Sequence, residues 1–83
     1  GKLNSIIEDA VMMRQPPSDK GKRLKIYYAS QIGSRPPLFS FNINSRRLMH
    51  FSYSRYLENK LREAYDFEGT SIKFLFNEKK GDN

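Results

Sequence analysis

The spacing of apolar residues changes period along this chain, and the order of those changes leaves few folds open. Leu3, Ile6, Ile7, Ala10 and Val11 fall at helical intervals and form one stripe of an amphipathic helix. Ser5 and Glu8 have the spacing of a capping box, while Leu3 points to an earlier start. Pro16-Pro17 ends the pattern, because proline lacks an N–H and pushes its predecessor out of the helical region. Residues 18–23, "SDKGKR", read as a polar basic loop. From Leu24 the period becomes two: Leu24, Ile26 and Tyr28 alternate with Lys25, Tyr27 and Ala29. Gly33-Ser34-Arg35-Pro36-Pro37 breaks this strand, and Phe39, Phe41 and Ile43 then alternate with Ser40, Asn42 and Asn44 in a second. "RRLMHF" after Asn44-Ser45 makes a short helical turn. Ser52 is the expected N-cap of the main helix, in which Tyr53, Tyr56, Leu57, Lys60, Leu61 and Ala64 share a face. Asp66-Phe67-Glu68-Gly69 closes it, and Ile72, Phe74 and Phe76 alternate with Lys73, Leu75 and Asn77 in a third strand.

This order, α-β-β-short α-α-β, implies an α+β two-layer sandwich: a three-stranded sheet with helices on one face. A chain of 83 residues suffices for one core and is too short for two. We assign residues 1–78 to the domain and 79–83 to a polar C-terminal tail. Phe, Tyr, Ile and Leu should build the core, since 13% of the residues are aromatic. The opposite face of the sheet, carrying Lys25, Tyr27, Ser40, Asn42, Lys73 and Asn77, should be polar and wet.

Fifteen Lys and Arg against nine acidic residues give a net charge of +6, which favours polyanionic partners or a strongly solvated surface. The chain has no cysteine, which excludes disulfides and thiolate metal sites and fits a reducing compartment. No apolar run approaches the roughly 18 residues of a membrane span. The opening Gly1-Lys2-Leu3 enters a helical pattern at once, as expected of a domain cut from a longer protein.

The runs "LNSIIEDAV" followed by "QPP", "GKRLKIYYASQIGSRPPLFSFNIN" and "HFSYSRYLENKLREAYDFEGTSIKFLF" resemble the C-terminal KH-like domain of the Der (EngA) family of bacterial GTPases. The likeness runs without gaps from about Leu3 to Phe76. It implies a KH-like fold and a cytoplasmic parent with two tandem GTPase domains that acts in assembly of the large ribosomal subunit. GTP and Mg would belong to those other domains, with no cofactor in this one. The phosphate loop, G-x-x-x-x-G-K-[ST], is absent, so no GTPase activity is expected of this segment. An ordinary KH domain grips nucleic acid with a G-x-x-G loop. The corresponding stretch, "RRLMHFSYS", contains no glycine, and KH-like domains of this family generally lack the motif.

Tyr53, Tyr56, Leu57 and Leu61 sit at core spacing, and the alternation of Phe39, Phe41, Phe74 and Phe76 marks them as core rather than base-stacking platforms. His50 has no cysteine or acidic pair beside it to complete a metal or catalytic site, and it shapes the turn before the main helix. Glu58 and Arg62 stand at ion-pair spacing. The candidate contact residues are Lys20, Lys22, Arg23, Lys25, Arg35, Arg46 and Arg47 in loops and strand starts, with Arg55 on the outer flank of the helix. No acidic residue lies between Asp19 and Glu58 to neutralise Arg46 and Arg47 locally. Two partners are compatible with these cations: ribosomal RNA of the large subunit, and carboxylates on the parent's GTPase domains.

Overall fold

The computed structural model describes residues 1–67 and 69–79. Helix α1 spans Lys2–Met13, a small hairpin pairs β1 (Ser18–Asp19) with β2 (Lys22–Arg23), and β3 (Ile26–Ser34) and β4 (Pro37–Ile43) form a long hairpin. A 3-10 turn at Arg46–Leu48 leads into α2 (Phe51–Tyr65), and β5 (Lys73–Glu78) completes the fold. The main sheet has the order β3-β4-β5, with β3 antiparallel and β5 parallel to β4. Both helices cover one face of it, giving the expected α+β KH-like sandwich. Glu68 and the tail residues 80–83 lie outside the described residues.

The central strand carries the core. Phe39, Phe41 and Ile43 are each 0% exposed and lie beneath Leu57 and Leu61 of α2 and Ile7 and Ala10 of α1. Phe74 and Phe76 are partly buried, with the Phe41 and Phe74 rings 4.6 Å apart. The helices run antiparallel. Lys2 lies over Tyr65, while the Tyr56 hydroxyl donates to the Ala10 carbonyl and the Tyr53 hydroxyl to that of Arg14.

Several local expectations are corrected. Ser5 and Ser52 lie inside their helices, whose N-caps are Gly1 and His50, and neither cap makes a side-chain bond. Residues 18–23 form a hairpin rather than a loop, with a turn built on positive φ at Lys20 (53°) and Gly21 (80°), the hand that matches strand twist. Strand β3 runs through Gly33 and Ser34, so only Arg35 and Pro36 turn the chain. Its register shifts between Ile26 and Tyr28, and again between Gln31 and Gly33. The first bulge inserts one residue and reverses the alternation, so Tyr28 faces solvent beside Asn42 while Ala29 is buried opposite Phe41.

On the uncovered face, Ser40 is buried rather than wet, accepting a bond from Asn77 Nδ2 at 2.9 Å. Ala64 is exposed, and the neighbouring Tyr65 turns inward onto Phe39 and Phe67. Arg62 donates to the Thr70 carbonyl at 3.1 Å instead of pairing with Glu58.

Candidate nucleic-acid interface

Strand direction decides which basic residues meet. Ile26 pairs with Ile43, and Ile43 with Glu78, so the start of β3 and the ends of β4 and β5 share one pole of the sheet. The small hairpin and the 3-10 turn connect at that pole. Asn44 fixes the approach: its backbone N–H donates to the Lys25 carbonyl, its Oδ1 accepts from the Lys25 N–H at 2.9 Å, and its Nδ2 donates to the Arg23 carbonyl at 3.0 Å. Leu24 N–H donates to the Pro17 carbonyl at 2.9 Å and Arg23 Nη1 to that of Pro16 at 2.6 Å, tying the hairpin to the segment after α1.

The 3-10 turn closes against this hairpin. Arg47 Nη1 meets Asp19 Oδ2 at 2.6 Å, and the Arg46 backbone N–H donates to Glu78 Oε2 at 2.8 Å. Two carboxylates therefore stand beside Arg46 and Arg47, contrary to the expectation of an unneutralised pair. Asp19 arrives because the hairpin folds back, and Glu78 because β5 runs parallel to β4. The Arg47 side chain stays 60% exposed, and the Arg46 guanidinium is not engaged by the carboxylate that accepts from its backbone. Both arginines remain able to meet a phosphate.

Lys20, Lys22, Arg23, Lys25, Arg46 and Arg47 thus gather at one pole. Arg35 does not join them: it turns the far end of the β3–β4 hairpin, on the order of 25 Å away at about 3.3 Å per residue. Arg55 lies in α2 one turn beyond Phe51, with its guanidinium 5.5 Å from the Phe51 ring centre. Lys79 reaches the pole through its N–H, which donates to the Ile43 carbonyl at 2.8 Å, and its ammonium lies 5.6 Å from the Tyr27 ring centre.

Arg14 escaped the sequence reading. Its guanidinium sits 5.1 Å from the Tyr56 ring centre and 5.9 Å from that of Tyr53. With Gln15, Pro17, His50, Ser52 and Tyr53 it lines a shallow cleft of about 240 Å³ between the end of α1 and the start of α2. The sequence signal was indirect: Pro16-Pro17 places Arg14 at a helix end, but only antiparallel helix packing brings it to Tyr53. Burial pushes the Tyr53 hydroxyl up to about 12, with the neighbouring Tyr56 adding to the rise and Arg14 opposing it.

The arrangement is a cationic surface with few fixed carboxylates, suited to contacting a polyanion along its backbone. The likeness to known proteins agrees with the fold. Residues 1–77 match the family described as the KH-domain-like region of EngA bacterial GTPase enzymes, C-terminal. The chain is 59% identical over 80 residues to the GTPase Der of Clostridium novyi, covering 96% of this chain and 18% of that protein. It is 57% identical over 81 residues to the GTPase Der of Alkaliphilus oremlandii, covering 98% and 18%. Against the GTPase Der of Ruminiclostridium cellulolyticum it is 54% identical over 83 residues, the whole chain and 19% of the relative. The chain spans less than a fifth of the length of these curated relatives. With the α-β-β-α-β order of the main sheet and its helices, the helix-covered sheet and a match across nearly every residue, this chain belongs to the KH-domain-like family found at the C-terminus of EngA bacterial GTPases.

Proposed function

We propose that this domain is the RNA-contacting module of a ribosome-assembly GTPase, holding ribosomal RNA of the large subunit through its basic pole. The observation that carries the reading is the convergence of Lys20, Lys22, Arg23, Lys25, Arg46 and Arg47 around the Asn44 staple. By the resemblance to KH domains, the 3-10 turn and the extended His50 that follows it correspond to the glycine loop, and they offer no glycine for close backbone approach. Contact therefore runs through guanidinium and ammonium groups to phosphates and discriminates little between sequences. In this reading the parent is cytoplasmic, and GTP and Mg are held by its other domains. The domain itself is not an enzyme.

A second reading is favoured by a different surface. Tyr28, Ile32 and Leu75 are roughly half exposed on strands β3 and β5, apolar side chains better suited to a protein contact than to RNA. Docking of this sheet face against the parent's GTPase domains would leave the basic pole open to ribosomal RNA, or would exchange with it as the bound nucleotide changes.

The deciding experiment is binding of a large-subunit RNA fragment across a salt series, for wild type and for Arg46→Glu/Arg47→Glu. With up to six cations engaged, log K should fall against log salt with a slope of roughly −4 to −5. The double variant should bind far more weakly while melting normally. Salt-independent binding, strong preference among unrelated sequences, or full affinity in the double variant would overturn the RNA reading.

A further inference from the structure

Phe51 is the aromatic residue that the fold leaves most open. It occupies the first position of α2 and is 75% exposed, whereas the rings of Phe39 and Phe41 are fully buried. One helical turn on, Arg55 places its guanidinium 5.5 Å from the Phe51 ring centre, a cation over the aromatic face. His50 and Ser52, the chain neighbours of Phe51, line the cleft that Arg14 closes. No acidic residue stands in the first turn of α2, and Arg46 and Arg47 lie in the turn immediately before it.

Resting on the RNA-contact reading above, we infer that Phe51 is a stacking platform for an unpaired base of RNA, with Arg55 bracing the ring. The phosphates flanking that base run toward Arg14 and His50 on one side and Arg46 on the other. The physical case is one of complementarity. An exposed apolar ring with a guanidinium over its face and further arginines in the preceding turn is poorly matched to an aliphatic protein surface, which would strand those charges, and well matched to a nucleotide, which brings a π-face and a negative charge together. A base within a duplex has its faces covered, so the platform selects single-stranded segments, loops or bulges. This supplies by side-chain stacking part of the grip that a glycine loop supplies by backbone approach in an ordinary KH module.

The test uses this chain with a short single-stranded RNA carrying 2-aminopurine, whose fluorescence is quenched when it stacks, and a duplex of the same sequence. Phe51→Ala should weaken single-strand binding about ten-fold and abolish the quenching, with little effect on the duplex. Phe51→Trp should retain both binding and quenching. Phe51→Leu, which keeps the apolar surface without the π-system, should behave as Phe51→Ala. Because the ring is exposed, all three variants should melt as wild type does. Unchanged single-strand affinity in Phe51→Ala or Phe51→Leu would overturn the platform, and so would equal loss on single strand and duplex. If Arg46→Glu/Arg47→Glu loses binding while Phe51→Ala does not, the platform fails and the basic-pole reading stands. If wild type binds no RNA at low salt, both fail. If Phe51→Ala weakens association with the tandem GTPase domains but leaves RNA affinity intact, the ring serves a protein partner and the platform is wrong.

Discussion

Asn4 closes the open edge of the sheet by pairing with Ala29: its Oδ1 accepts from the Ala29 N–H at 2.8 Å and its Nδ2 donates to the Ala29 carbonyl at 3.0 Å. Ala29 sits opposite Phe41 in the ladder with both backbone groups turned outward, and the amide of Asn4 meets them as a neighbouring strand would. The contact fixes α1 over β3 and occupies the middle of an edge that would otherwise be free to pair with another chain.

Replacing Asn4 with Ala should therefore cost about 1–3 kcal/mol, because two partly buried backbone groups lose their partner while the helix loses nothing in propensity. Urea denaturation measures the loss, and amide exchange should quicken at Ala29. Wild-type stability in Asn4→Ala would mean that water satisfies this edge equally well.

Phe41 is fully buried and packs against Phe74 and Phe76, with ring centres 4.6 and 5.7 Å away. Phe41→Ala should destabilise the domain by about 3–5 kcal/mol. Phe74 is only partly buried, so Phe74→Ala should cost less. Equal losses in urea midpoint for the two variants would show that burial does not rank these sites.

Alkaline pH probes the Tyr53 contact. The folded state keeps the Tyr53 proton until about pH 12, against 10 for an ordinary tyrosine. Its contribution is complete below pH 10 and falls as pH rises from 10 towards 12, since the unfolded chain releases the proton first. Tyr53→Phe removes this loss along with the bond to the Arg14 carbonyl. The melting temperature of the variant should lie below that of wild type near neutral pH, and the gap should narrow above pH 10. A constant gap would contradict the assignment.

Asp19 holds Arg47 on an exposed surface, where such a pair contributes at most about 1 kcal/mol. Asp19→Asn should leave the melting temperature nearly unchanged, tighten RNA binding, and steepen the salt slope by roughly 0.7 for a single strand as one more cation is freed. An unchanged slope would mean that Asp19 does not hold Arg47 back from phosphate.

The two main helices and the three strands of the main sheet were legible in the sequence, because hydrophobic period is a local property written residue by residue, whereas the polar β1–β2 hairpin carries no such period. The periods at Leu3–Val11, Phe39–Ile43 and Tyr53–Leu61 correspond to α1, β4 and α2, and Phe39, Phe41, Leu57 and Leu61 are buried as their spacing requires. The likeness of the long runs to a KH-like family was equally legible. Tertiary structure decided what local pattern cannot encode. One inserted residue at Tyr27 reversed the faces of Tyr28 and Ala29, since a period of two has no memory across a bulge. The parallel pairing of β5 with β4 brought the Glu78 carboxylate to the Arg46 backbone N–H, and the fold-back of the small hairpin brought Asp19 to the Arg47 guanidinium, so residues 32 and 28 positions apart became neighbours. The length of the β3–β4 hairpin kept Arg35 from the basic pole, and antiparallel helix packing delivered Arg14 to Tyr53 and Tyr56. A charged side chain carries no local signal of its partner, because ion pairing depends on where two remote backbones meet, and only the folded chain fixes that distance.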